Sequence, residues 1–223
     1  MHPAIPAPVL REVLLTATAP VTVLDQVFFQ GGENGVHQWE SGIVLARYLL
    51  QNKDLFQTRK VLEVGSGSGL VAIAATKYAG VVQFWASDCH PAVLRNIADN
   101  ASRNDCRVAA VALDWSDSAT YLADRFDFVI GSDLIYDGAP LESLCRTVGH
   151  HLSPQGSMLL LMPQKRHMTS AFVALMENSG FQHTATVLEA ADLRAAASRP
   201  EVGYKDFPEL KTHIYVLHTF HRS

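Results

Sequence analysis

Two hydrophobic periods alternate along most of this chain. From Trp39 the apolar residues Ile43, Val44, Ala46, Leu49 and Leu50 recur at helical spacing, so QWESGIVLARYLL reads as a first amphipathic helix. Short, nearly unbroken apolar runs follow as strands: RKVLEV (59–64), VVQFWASD (81–88), RVAAVALD (107–114), FDFVIGSD (126–133) and GSMLLLM (156–162). Between them LVAIAATKYA (70–79), PAVLRNIADNASRN (91–104), PLESLCRTVGHHL (140–152) and a segment around Thr169–Asn178 read as helices. Strands that are apolar on both faces belong to a parallel sheet with helices on each side. FQHTATVLE (181–189) and THIYVLHTF (212–220) supply a sixth and seventh strand, with no clear helix in the alanine-rich and polar stretch between them. One of the two is therefore expected to run antiparallel. Ahead of all this, the strand-like VTVLDQVFF (21–29) and the turn residues GGEN (31–34) predict an accessory hairpin after a proline-rich start. The chain divides into an accessory segment, 1–36, and a main domain, 37–223.

Composition narrows the classes. Of 223 residues 48% are apolar and 18% charged, enough to bury a sizeable core. Lys and Arg number 18 against 22 Asp and Glu, so a net charge of −4 gives no footprint for general binding to phosphate backbones. The three cysteines, Cys89, Cys106 and Cys145, have no paired spacing, which points away from a disulfide framework or a cysteine-rich metal site and toward a reducing cytosol or nucleus. No run of about 18 apolar residues and no basic-then-apolar leader occurs, so a soluble, untargeted chain is expected. Nothing suggests a metal.

The chemistry starts at Val61-Leu-Glu-Val-Gly-Ser-Gly-Ser-Gly-Leu70, where Gly65, Gly67 and Gly69 stand between the first sheet strand and its helix. A plain turn needs one glycine; three let the backbone approach a ligand lying across a helix N-terminus. The spacing is GxGxG with Leu70 where a dinucleotide fingerprint needs its third glycine, and no Lys-Ser/Thr pair follows as in a phosphate-binding loop. Asp88 ends the next strand, placed to accept hydrogen bonds from both hydroxyls of a ribose. Asp114 ends the third strand and is followed by Trp115, whose indole offers a flat surface for an adenine ring. After the fourth strand comes SDLIYD, which delivers Asp133 and Tyr136 together to the strand's carboxyl end.

This set resembles the class I, seven-strand AdoMet-dependent methyltransferases. With Trp39 in VHQWESGIVLARYL and the DxxY of SDLIYD it is similar to the family 16 protein lysine methyltransferases, from about Trp39 onward. The resemblance implies an α/β, Rossmann-like, doubly wound seven-stranded sheet, mostly parallel with one antiparallel strand near the C-terminus. It implies S-adenosyl-L-methionine as cofactor, contacted by Trp39, Glu63, Gly65, Ser66, Gly67, Asp88, Trp115 and Ser132, with Gly69 and Asp114 beside them. It implies Asp133 and Tyr136 on the acceptor side, a protein partner carrying the target lysine (a chaperone or translation factor, by family), and a monomer without a membrane.

Alternatives at this point are a small-molecule methyltransferase, a non-catalytic AdoMet-binding regulator and a dehydrogenase. Enzymes that methylate planar amines resemble one another in an Asn/Asp-Pro-Pro-Tyr/Phe motif; Leu134 and Ile135 stand where its prolines would be. Asp133 itself cuts both ways: a carboxylate holds a lysine ammonium, yet favours that protonated, unreactive form. Three other features read as bland. His150-His151 fits a helix C-terminus, Cys89-His90 lacks further metal ligands, and Lys165-Arg166 reads as a solvated loop.

Overall fold

The computed structural model describes residues 8–25, 39–195, 207 and 209–222. A hairpin of β1 (Val9–Leu14) and β2 (Pro20–Asp25) precedes α1 (Glu40–Gln51) and the short α2 (Lys53–Phe56). The alternating part follows as β3 (Lys60–Val64), α3 (Leu70–Lys77), β4 (Gln83–Asp88), α4 (Pro91–Arg103), β5 (Ala109–Ala112), β6 (Phe126–Ser132), α5 (Leu141–His151) and β7 (Leu152–Pro163). The chain finishes with α6 (Thr169–Asn178), β8 (Phe181–Leu188), α7 (Glu209–Thr212) and β9 (Tyr215–Arg222).

The seven-stranded sheet has the order β5-β4-β3-β6-β7-β9-β8. Strands β3 to β7 pair in parallel, and β9 is inserted antiparallel to both β7 and β8. This is the expected doubly wound sheet with its one reversed strand. One apolar layer, with α1, α3 and α4, covers one face; α5 and α6 cover the other. The chain winds outward from β3 through β4 to β5, then resumes on the other side of β3 with β6. Loops leaving β3 and β6 therefore diverge, and the crevice between them is where such sheets bind ligands. Glu63 lies opposite Ile130 in the β3–β6 ladder. Continued by two residues, that register sets Gly65 level with Ser132.

The N-terminal hairpin differs from the expectation. Its strands are β1 and β2, joined by a turn at residues 15–19, with Leu15 N donating to Ala19 O at 3.0 Å. Residues 26–29, GGEN and the 36/37 boundary lie outside the described residues. VLREVL conceals a strand because one of its inward positions is Arg11, buried against the Asp25 carboxylate; an inward-facing charge breaks the alternation that marks a strand. The hairpin is not loosely appended, since Val13, Val21 and Val23 are fully buried in the same core as α1 and α3.

Two polar devices fasten it. Asn96, Asn100 and Asn104 recur every fourth residue along α4 and its C-cap, all buried, and face the edge of β2 that β1 leaves unpaired. Thr22 N donates to Asn104 Oδ1 (2.9 Å) and Leu24 N to Asn100 Oδ1 (2.8 Å); in return Asn104 Nδ2 donates to Thr22 O and Asn96 Nδ2 to Leu24 O. Side-chain amides thus replace a missing strand, because a buried backbone edge without partners is costly. On α1, the buried Arg47 guanidinium donates to four carbonyls, those of Leu14, Leu15, Leu193 and Ala195, and joins the hairpin turn to the segment after β8.

The far edge of the sheet makes the fold sensitive to acid. His218 on β9 stacks on His183 of β8, with the ring nitrogens 3.0 Å apart. Burial, then the neighbouring imidazole, pushes His218 down to about 4. Burial likewise lowers His151, whose Nδ1 donates to Thr147 O and whose Nε2 accepts from Leu122 N, the second bond requiring the neutral ring. Both groups bind protons more readily unfolded than folded. The stability contributed by these two histidines should therefore be full above about pH 6.5 and decline as the pH falls toward 4. Discounted for partial solvation, His218 should account for about 1 kcal/mol between pH 7 and pH 5, about 2–4 °C of Tm relative to a variant without this imidazole. His218→Gln should remove that part of the slope in melting curves; an unchanged slope would assign it elsewhere.

Candidate functional site

The loop between β3 and α3 is shaped by three residues in the left-handed region: Gly65, Gly67 and Gly69 have φ of +67°, +52° and +79°. A Cβ on Gly65 would stand 2.8 Å from Leu134 Cδ2 and 3.5 Å from the Trp115 ring. A Cβ on Gly67 would meet nothing within 4 Å, so backbone lies bare on the crevice there. Gly65→Ala should cost more than about 1 kcal/mol of stability and displace Leu134, with a matching loss of cofactor affinity measured by calorimetry. Gly67→Ala, strained but not crowded, should lose less stability than Gly65→Ala.

Hydrogen bonds from neighbouring strands hold the loop. Ser66 N donates to Ser87 O (2.9 Å), Ser87 N to Ser66 Oγ (3.0 Å) and Ser87 Oγ to Glu63 O (2.7 Å). Asn100 Nδ2 donates to Ser68 O at 2.9 Å, so the residue that holds β2 also holds the loop.

Three acids approach it. Glu63, one residue before the end of β3, is 2% exposed, and its Oε2 has no hydrogen-bond partner among the described residues. Burial pushes its carboxyl up to about 8, with a Ser66 hydrogen bond opposing and the Asp88 charge adding to the rise. A buried carboxyl oxygen with nothing to bond marks a place prepared for a cationic donor. Asp88, at the end of β4, is held by the backbone N–H groups of His90, Gly67 and Cys89; burial raises it and those N–H groups oppose the rise. The glycine loop and the ribose-type acid are thus bonded to each other. Asp114 lies two residues past β5 and accepts from Ser116 N at 2.8 Å, a local turn that sets the direction of Trp115. Trp115 is half-buried, and its carbonyl accepts from the Tyr121 hydroxyl. Neighbouring His90 is taken up by the fold: its Nδ1 accepts from Ala92 N as the N-cap of α4.

Across the crevice, Ser132 ends β6 and Asp133 follows it in a left-handed conformation, φ +56°, with its N–H donating to Leu161 O at 3.0 Å. The Asp133 side chain is 6% exposed and receives two bonds from Arg166 on one oxygen: Nε to Oδ1 at 2.8 Å and Nη2 to Oδ1 at 2.5 Å. This corrects the reading of Arg166 as part of a solvated loop, while Lys165 beside it is exposed. No local pattern could reveal it, because the two residues are 33 apart and meet only when β6 and β7 pair. Leu134 and Ile135 are buried, Leu134 as the wedge beneath Gly65. Tyr136 is half-buried in the turn that follows, its carbonyl accepting from Ala139 N. Trp39 is the N-cap residue of α1, 37% exposed, directly after the segment outside the described residues. The expected residues from Glu63 to Trp115, with Ser132 and Asp133, thus gather at the carboxyl ends of β3 to β6.

Residues 25–179, more than half of the chain, match the family described as lysine methyltransferase. The human protein-lysine N-methyltransferase EEF2KMT is 29% identical over 150 residues, 60% of this chain and 46% of that protein. Protein N-lysine methyltransferase METTL21A of Xenopus tropicalis is 34% identical over 131 residues, 58% of this chain and 60% of that protein. The chain thus spans about half the length of the curated relatives it matches. Among solved structures, the glycopeptide N-methyltransferase MtfA complexed with S-adenosyl-L-homocysteine superposes with a TM-score of 0.58 at 17% identity, covering 86% of this chain and 94% of that one. At that identity the likeness concerns the fold.

Proposed function

Because the chain belongs to the lysine methyltransferase family, we propose that it transfers a methyl group from S-adenosyl-L-methionine to the side-chain amine of a lysine in another protein. One observation carries the reading: the divergent loops of β3 and β6 set an unpartnered buried Glu63 carboxyl oxygen and bare glycine backbone opposite a buried Asp133.

Residues on the β3 side fit the cofactor. Ionised, Glu63 would accept from its α-ammonium, Asp88 would accept from its ribose, and the Trp115 ring would offer its adenine a flat face. When bound, the cofactor supplies a methyl carbon on a sulfonium for direct displacement. The chain supplies placement. A lysine with a reference pKa of about 10.4 must lose its proton, at a cost of about 4.6 kcal/mol at pH 7, whereas alignment of reacting groups is worth about 7–11 kcal/mol. Asp133 and Tyr136 hold the amine in line, and the apolar Leu134 and Ile135 keep water from the nucleophile. The absence of prolines at 134 and 135 fits a flexible alkylamine better than a planar amide or base. The free thiols of Cys89, Cys106 and Cys145 fit a reducing compartment, cytosol or nucleus. Among the described residues no helix is long and apolar enough to cross a membrane.

Thermal melting with AdoMet, its demethylated product and NAD tests the cofactor. Stabilisation by the first two is expected, and stabilisation by NAD alone would overturn the reading. Incubation with radiolabelled AdoMet and dialysed lysate, then separation by size, tests the acceptor class. Label is expected in protein; label confined to small molecules would refute a protein acceptor.

A further inference from the structure

We propose that Arg166 is a positioning residue that neutralises Asp133, so that the acceptor lysine meets a closed ion pair and is held as the free amine. The inference rests on the lysine reading above and concerns how that site handles charge.

The pair is built into the fold. Arg166 sits in the loop between β7 and α6, its N–H donating to Pro163 O and its carbonyl accepting from the Thr169 hydroxyl at 3.0 Å. The same loop is tied to the strand beyond by Gln164 N donating to Ile214 O at 2.8 Å. Asp133 is fixed from its own side by the Leu161 carbonyl. Two ordered loops, from neighbouring strands, therefore bring the guanidinium to the carboxylate, and the Asp133 side chain is far less exposed than that of Arg166, 6% against 35%. A chance surface contact would have neither anchorage nor burial.

The charge count explains what the pair does. An unpaired buried carboxylate would bind the lysine as an ammonium and hold it in its unreactive form. With Arg166 on Oδ1 the net charge of the pair is zero, while Oδ2 is left to accept a hydrogen bond from an amine. The other titratable side chains of the two loops are Tyr136, Asp137, Lys165 and His167, with His213 next to Ile214; Asp137 and His167 face each other at 3.6 Å, both open to solvent. The carboxylate charge of Asp133 is met by the Arg166 guanidinium at 2.5 Å. In the transfer itself the amine's own electron pair makes the new N–C bond as the S–C bond breaks and its electrons remain on sulfur. The proton shed beforehand passes to solvent.

The test compares wild type, Arg166→Lys, Arg166→Gln and Asp133→Asn/Arg166→Gln by single-turnover transfer of label from AdoMet to dialysed lysate protein, from about pH 6.5 to about pH 11. Arg166→Gln is expected to fall at least about tenfold at pH 7 and to recover that loss only as the pH passes lysine's reference value of about 10.4, because each unit of displacement in the lysine titration is tenfold in reactive amine. Arg166→Lys keeps the wild-type profile. The double variant, slower throughout, returns to the wild-type shape because its site is neutral again. Melting of the cofactor-free proteins, with Asp133→Asn added, reads the pair without activity: the double variant should melt above the sum of the two single losses. Equal pH profiles for wild type and Arg166→Gln, or strictly additive melting losses, would overturn this inference alone. No labelled protein with wild type would overturn the lysine reading together with it.

Discussion

Asp133→Asn should reduce methyl transfer by about 10²–10³-fold at saturating AdoMet while leaving AdoMet affinity within about twofold of wild type. In the proposed reaction the acceptor side depends on this carboxylate and the cofactor side does not. Asparagine is the informative replacement because residue 133 sits at φ +56°, a region that asparagine enters readily and alanine does not. Asp133→Ala would mix backbone strain with the loss of the ion pair. In Asp133→Asn the Arg166 charge loses its partner, but at 35% exposure it can turn to water, so the fold should lose only about 1–2 kcal/mol. Calorimetric AdoMet binding and single-turnover transfer on the same preparation separate the two effects. Weakened AdoMet binding with normal turnover at saturation would place Asp133 on the cofactor side instead.

Glu63→Gln should stabilise the cofactor-free protein and weaken AdoMet binding by about 30–150-fold. The folded carboxyl titrates at about 8, above its ordinary 4.5, so the unfolded chain binds fewer protons and stability declines as the pH rises from about 4.5 to 8. A neutral isostere removes that decline, raising Tm at pH 8 by on the order of 5 °C. The same titration predicts that wild type releases up to one proton on binding AdoMet at pH 7, because the cationic cofactor selects the ionised form. Calorimetry in buffers of different ionisation enthalpy reads this release, and Glu63→Gln should abolish it. A lower Tm together with unchanged affinity would show that Glu63 serves the fold instead.

The sheet is legible because its signals are local. Apolar runs such as VLEV and FVIGS, separated by helical periods, read directly as buried parallel strands, and three glycines within five residues locate the ligand loop. The hidden features depend on tertiary pairing. Strand β1 is masked by Arg11, whose inward charge makes sense only once Asp25 stands beside it. The four-residue spacing of Asn96, Asn100 and Asn104 is visible in PAVLRNIADNASRN, yet the strand edge that they satisfy is not local to α4. Leu134 reads as one more apolar residue until Gly65 is seen to lack room above it. The charges in the crevice are half visible: Asp133 by its place at a strand end, Arg166 only as a basic loop residue whose partner, 33 residues away, does not show.

The central claim is a methyl group placed on a lysine nitrogen of a protein. It is tested most directly by transferring label from AdoMet to lysate protein with wild type, hydrolysing the labelled protein completely and separating the amino acids. Label is expected to run with methylated lysine and to be lost with Asp133→Asn; label on methylated arginine, histidine or glutamine, or in no protein residue, would contradict lysine methylation.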